Sequence, residues 1–191
     1  MLKIILVDNH DERSEALIDT LKSAEYEIIA RFNDADNLDE AVNRLNPDMV
    51  IIDTDSPSRD TLENLVVMRA NSPRPVVMFA HDNDADKIKL ATRAGVCAYI
   101  VGELPANRLK TVMNAAIARF EEFKYLRDEI DVAHTMLAER KVIERAKGLI
   151  MKQKNISEAE AYQLMRETAM KNNQKLAVLS TRIIEAAQLL L

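Results

Sequence analysis

Short apolar runs alternate with amphipathic stretches over the first 120 or so residues. Leu2–Val7 is apolar except for Lys3 and predicts a strand. Glu12–Ala24 places Ala16, Leu17, Leu21 and Ala24 on one side of a helix. Ile28-Ile29-Ala30 predicts a second strand, Leu38–Leu45 a short helix, and Met49–Ile52 a third strand ending at Asp53. Thr61–Ala70 predicts a helix, Val76–Phe79 a fourth strand, and Ala85–Ala94 a helix closed by Gly95. Ala98–Val101 predicts the fifth strand, and a helix starts after Pro105. Five apolar strands alternating with helices predict an α/β fold, a parallel, doubly wound sheet buried on both faces. Sites in such sheets form at the carboxyl ends of the strands. Those ends are Asp8, Asp53, Ala80 and Gly102.

The helix after Pro105 shows no stop until about residue 153. Within it Phe123, Leu126, Ile130, Ala133 and Leu137 recur at spacings of 3, 4, 3 and 4, a heptad seam between charged residues. One reading is a two-stranded coiled coil and hence a homodimer. The other is a helix packed on its own domain. Ser157 and Glu160 form a capping-box pattern that predicts a second helix to about Lys171, stopped at Asn172-Asn173. A third helix covers about Leu176–Leu190. The expected layout is therefore a sheet domain at 1–120, a coiled-coil linker at 121–137 and a small all-α domain at 138–191.

Charge divides along the same line. The 191 residues carry a net charge of −5, yet residues 141–191 hold nine basic against five acidic residues, while residues 1–140 hold 17 against 26. An acidic first part and a basic tail point to a polyanion met by the tail alone. A plain solvated face is the other reading of these charges. Cys97 is the only cysteine, which fits a reducing compartment. Neither a signal peptide nor an apolar run of membrane-spanning length is visible, so a cytoplasmic location is expected. His10, His81 and His134 show no metal-ligand spacing, and no phosphate loop or nucleophile motif is present, so the chain reads as a regulator and not an enzyme.

Ile4–Asp8, Val50–Asp53, Pro75–Phe79 and Gly95–Val101 together resemble the receiver domain of bacterial response regulators over about residues 1–120. The resemblance implies a five-stranded flavodoxin-like sheet with Asp53 at the phosphoacceptor position. It also implies an acidic pair for Mg²⁺, a Thr or Ser and a Lys, which stabilise the transferring phosphoryl group. This chain keeps only part of that set, Asp8 retaining one carboxylate of the acidic pair. Asp8 is followed by Asn9, Ala80 replaces the hydroxyl residue, and Gly102 replaces the lysine. Asp82, Lys87 and Arg74 are candidates to compensate. No resident cofactor is expected, with Mg²⁺ at Asp8 and Asp53 weakened. The fold then serves as a docking platform, with ordinary phosphorylation of Asp53 as the other reading.

The run Leu137–Met151, with Arg140, Ile143, Ala146, Lys147, Gly148, Leu149 and Met151, is followed by the capped helix Ser157–Arg166 and by Ala169–Ala177. Together they resemble the ANTAR domain of RNA-binding antiterminators over about residues 130–191. On the helix 140–153, Val142, Ala146, Leu149 and Ile150 form a core face. Arg140, Lys147 and Lys154 line one flank, and Lys141, Arg145 and Lys152 the other. Gly148 lies in the second row, where it admits either a phosphate backbone or a neighbouring helix. The expected RNA-binding set is Arg140, Lys141, Arg145, Lys147, Gly148, Arg166, Lys171 and Lys175. Tyr162 is the sole aromatic of the tail, which favours paired hairpins over stacked single strands.

The whole layout resembles receiver-plus-ANTAR antiterminators, and within them the nitrate-assimilation (NasT) type. That likeness implies leader-mRNA hairpins as ligand, the transcription machinery as indirect target, and an inhibitory nitrate- or nitrite-sensing protein as partner. An amide-sensing sister type is the nearest variant. Two other classes make different demands on the sequence. A phosphorylation-controlled DNA-binding response regulator needs a basic recognition helix, but Leu176–Leu190 holds only Arg182. A phosphorelay protein needs intact chemistry around Asp53.

Overall fold

The computed structural model describes residues 1–8, 11–102 and 104–189, the side chains of 11–14 and 189 excepted. The chain forms two compact units, Met1–Lys124 and Tyr125–Leu191. The first alternates β1 (Leu2–Asp8), α1 (Asp11–Ser23), β2 (Tyr26–Phe32), α2 (Leu38–Leu45), β3 (Met49–Thr54), α3 (Arg59–Asn71), β4 (Val76–Ala80), α4 (Ala85–Ala94) and β5 (Ala98–Val101). Helix α5 (Ala106–Lys154) begins in this unit and ends in the second, so the boundary falls inside the stretch read as a linker.

All strand pairs are parallel, in the order β2-β1-β3-β4-β5. Alternate side chains go to opposite faces. Ile5, Val7, Val50, Ile52 and Met78 pack with Leu38 and Val42 of α2, Leu65 and Met68 of α3, and Ala91 of α4. Ile4, Leu6, Met49, Ile51, Val77 and Phe79 pack with Leu21 of α1 and with Leu109, Met113 and Ala116 of α5. This is the doubly wound sheet the strand pattern predicts. Strand β2 runs longer than Ile28–Ala30 because it is an edge strand, whose polar Glu27 and Arg31 alternate with apolar residues.

Local chemistry sets the ends. Asp84 caps α4 by accepting from the amides of Asp86 and Lys87. Gly95 ends it at φ 114°, a left-handed conformation, with the Arg69 side chain 3.0 Å from where a Cβ would stand.

In the second unit, α5 packs with α6 (Glu158–Lys171) and α7 (Leu176–Leu189). Ala146 and Ile150 of α5 meet Ala161, Met165 and Ala169 of α6 and Leu179 and Ile184 of α7. The capping box is formed as expected: the Glu160 amide donates to Ser157 Oγ at 3.3 Å, and the Ser157 amide donates to Glu160 Oε2 at 2.8 Å.

Candidate functional site

Two neighbourhoods hold the residues singled out from the sequence. In the first unit, Asp8 and Asp53 are register partners at the carboxyl ends of adjacent strands β1 and β3. They are 2% and 5% exposed. The structure brings Asp8, Asp53, Ala80 and Gly102 to this one edge, while Asn9 and His10 lie outside the described residues. Arg31, on β2, reaches the end of the adjacent β1 and donates from Nη2 to Asp8 Oδ2 at 2.9 Å. A fixed guanidinium thus stands beside the acidic pair. The sequence reading missed it, although Arg31 directly follows the apolar run Ile28–Ala30.

Of the candidates for compensation, Asp82 and Lys87 lie beside the carboxyl ends of β3 and β4 but pair with each other, and Arg74 lies at the opposite edge. Lys87 donates to Asp82 Oδ2 at 2.6 Å and to Ser56 Oγ at 2.8 Å. The Lys87 ammonium, the Asp84 amide and the Ser56 hydroxyl push the Asp82 carboxyl down to about 2. Arg74 precedes β4, where it donates to the carbonyls of Pro47 and Pro73 and to Asn46 Oδ1, at the amino ends of the strands. The cation in contact with the acidic pair among the described residues is thus Arg31, on Asp8.

Ala80 is buried, and its carbonyl accepts from the Gly102 amide at 3.0 Å. Gly102 sits at φ 75°, a left-handed conformation that an L side chain adopts only with strain. The backbone at the lysine position is thus shaped for glycine.

Magnesium prefers octahedral oxygen ligation through carboxylates and waters. Here one Asp8 oxygen is held by Arg31, and no group of three His, Cys, Asp or Glu converges on one point among the described residues. Arg31 thus competes with a cation for Asp8, which weakens any magnesium site there. Arg31→Gln removes the like charge, so Mg²⁺ binding to the variant is expected to tighten about tenfold or more in isothermal titration.

In the second unit the basic residues separate into two kinds. Arg140, Lys141, Arg145, Lys152, Arg166, Lys171 and Lys175 are exposed. Lys147 is only 8% exposed and donates to both Glu144 and Glu158 at 2.7 Å. Hydrogen bonds to Glu144 first and Glu158 second raise the pKa of its ammonium, and the same contact lowers that of Glu158. Lys147 ties α5 to the first turn of α6, so in this structure it is not laid out along the surface with Arg140 and Lys154. The sequence offered the Glu144–Lys147 spacing as a signal. Glu158, from another helix, offered none.

Gly148 is exposed, and a Cβ built on it meets nothing within 4 Å. Among the described residues no helix of the second unit packs there, so their packing does not explain a glycine in mid-helix. Lys141, Arg145 and Lys152 flank it along the same helix row.

Residues 121–138 are exposed without interruption. Phe123, Leu126, Ile130 and Leu137 are exposed large apolar side chains, and Ala133 is exposed between them. Arg119 covers part of the Phe123 ring at 5.5 Å. Tyr125, Val132 and Met136 form a second apolar stripe roughly 120° around the helix, which the heptad count passed over.

Comparison with known proteins covers both units. The family model for the response regulator receiver domain matches residues 4–114, and that for the ANTAR domain matches residues 131–184. The transcriptional regulatory protein PdtaR of Mycobacterium tuberculosis is 29% identical over 154 residues, which cover 81% of this chain and 75% of that protein. The transcriptional regulatory protein DegU of Brevibacillus brevis is 25% identical over 111 residues, covering 56% and 47%. Among solved structures, the signal receiver domain of a modulated diguanylate cyclase from Desulfovibrio desulfuricans G20 matches with a TM-score of 0.56 at 18% identity, covering 63% of this chain and 97% of that one. The activated receiver domain of RstA from Klebsiella pneumoniae matches at 0.53 and 20% identity, covering 60% and 97%. These two structures share the fold of the first unit.

Proposed function

The chain belongs to the response regulator receiver family and continues into an ANTAR domain, and from that premise we propose that it is an RNA-binding transcription antiterminator. The observation that carries the reading is the exposed basic row Lys141, Arg145 and Lys152 with Gly148 open at its middle. Cations along one helix face neutralise phosphates. A glycine between them lets a sugar-phosphate backbone come within the distance a side chain would bar. Arg140, Arg166, Lys171 and Lys175 extend the contact, while Lys147 holds α5 and α6 in register. The ligand is a leader mRNA with paired hairpins, held so that the terminator hairpin does not form. Two tails joined along the Phe123–Leu137 seam of a homodimer would take one hairpin each. Within this reading the first unit is a docking platform with at most weak Mg²⁺ binding and no enzymatic step. The genes served are those of nitrate and nitrite assimilation, and the inhibitory partner is a nitrate- or nitrite-sensing protein. The likeness to that type of antiterminator supports these last two points.

The test is binding of the full-length protein to a leader RNA bearing two adjacent hairpins, beside duplex DNA of equal length, over a range of salt. Tight RNA binding that weakens steeply with salt is expected, and Arg145→Ala should lower the slope of log K against log salt by about 1. Equal and weak binding of RNA and DNA, in the full chain and in residues 125–191 alike, overturns the reading.

Gly148→Ala separates stability from binding. It should stabilise the tail by ~1 kcal/mol, because the helix gains an alanine and the methyl meets nothing. The same methyl stands on the path of the phosphate backbone. A raised melting temperature with weakened RNA binding is expected, and unchanged RNA affinity would exclude close approach at Gly148.

A further inference from the structure

Helix α6 carries two rows of side chains with different fates. Ala161, Met165 and Ala169 take its buried positions. Tyr162, Arg166 and Met170 each follow one of them and share a second row, spaced by four residues. Tyr162 is 44% exposed and Met170 71%, with Arg166 exposed between them. Among the described residues, neither the Tyr162 hydroxyl nor the Arg166 guanidinium has a hydrogen-bond or ion-pair partner. Packing of the second unit therefore gives no reason for a large ring and an unengaged cation to stand side by side there.

The charge along the helix points the same way. Glu158 is held by Lys147, Glu160 by Ser157 and Glu167 by the Gln163 amide. Arg166 and Lys171 are the charged side chains of α6 left unengaged among the described residues, and both are cations. The row also starts beside the candidate RNA surface. Glu158 lies one turn before Tyr162, and its partner Lys147 directly precedes Gly148. An exposed aromatic ring beside a guanidinium suits a nucleobase, which offers a π-face for stacking and acceptors on its edge. Bases inside a paired stem stack on one another and leave no face free. An unpaired base in a hairpin loop does leave one. A single ring serves one such base, whereas an extended single strand needs several.

We propose that Tyr162 and Arg166 form a reading site for one unpaired nucleobase of an RNA hairpin loop. The base stacks on the Tyr162 ring, its edge accepts from the Arg166 guanidinium, and Met170 extends the apolar floor of the row. The cations of α5 then hold the stem through its phosphates, without regard to sequence, while α6 tests what the loop presents. The inference rests on the RNA-binding reading and adds to it a contact that a stem alone does not make.

The experiment compares two RNAs on the full-length protein: the two-hairpin leader RNA, and the same stems closed by ethylene-glycol linkers in place of their loops. The parent should bind the looped RNA about tenfold or more tightly than the linker-closed one. Tyr162→Ala should remove that preference and leave affinity for the linker-closed RNA unchanged. Tyr162→Phe keeps the ring and should keep the preference. Arg166→Lys keeps the charge but not the planar fork, so it should keep the salt dependence and lose most of the preference. 2-Aminopurine, placed at each loop position in turn, should be quenched on binding at one position by the parent and by Tyr162→Phe, and not by Tyr162→Ala. Equal affinity of the parent for looped and linker-closed RNA overturns this inference alone. So does a Tyr162→Ala variant that keeps the preference for the looped RNA, and if that variant alters self-association instead, the row belongs to a protein contact. Failure to bind either RNA overturns the antiterminator reading and this inference with it.

Discussion

In the homodimer proposed above, Leu126→Glu combined with Ile130→Glu is expected to release monomers while leaving both units folded. The two side chains are 42% and 56% exposed in the single chain, so polar replacements there cost the monomer little. Glutamate is a good helix former, so α5 keeps its local preference. Across the proposed seam the effect is large. Each dimer loses four apolar side chains from its interface, each contributing on the order of 1.5–3 kcal/mol when fully buried. Four carboxylates take their place along one line. Weakening of the dimer by at least about 10⁴-fold follows, and sedimentation equilibrium would measure it. Binding to a two-hairpin RNA should fall by about 10²–10⁴-fold, because two linked contacts become one. Binding to a single hairpin should not change. If the variant stays dimeric, the association runs elsewhere, and Tyr125, Val132 and Met136 become the residues to replace.

Met165→Ala should unfold the second unit and spare the first. Met165 is 1% exposed, in the core that α5, α6 and α7 share. Truncating a buried methionine costs about 2–5 kcal/mol. A core this small supplies on the order of 3–5 kcal/mol in total. The margin disappears even though alanine is the better helix former. Calorimetry should show the melting transition of the first unit near its original temperature and that of the tail lost or displaced far downward, with RNA binding abolished. A tail that melts within a few degrees of the parent would mean that α6 is not held by this core.

The strands were legible because their two buried faces leave continuous apolar runs, such as Ile4–Val7 and Met49–Ile52. Helix ends were legible where a side chain announces them, as at Gly95 and the Ser157–Glu160 box. The groups that shape the sites were harder to read. Arg31 was passed over because a charge on an edge strand ordinarily faces water, and only the fold shows it reaching Asp8. Lys147 was placed on a basic flank because helical periodicity fixes direction and says nothing of a carboxylate arriving from the next helix. The glycine at 102 was seen as a missing lysine. Its positive φ emerges only from the surrounding chain.

The two units also differ in how far apart along the chain their partners lie. In the first, β1 pairs with β3 as well as β2, joining residues 45 positions apart such as Ile4 and Met49. In the second, neighbouring helices meet across short turns, as Ala146 and Ile150 meet Ala161 and Met165. Search time grows with such separation, so helical assemblies of local contacts form in microseconds to milliseconds and parallel sheets more slowly. On refolding of the full chain from denaturant, the tail should therefore regain its packing before the sheet does.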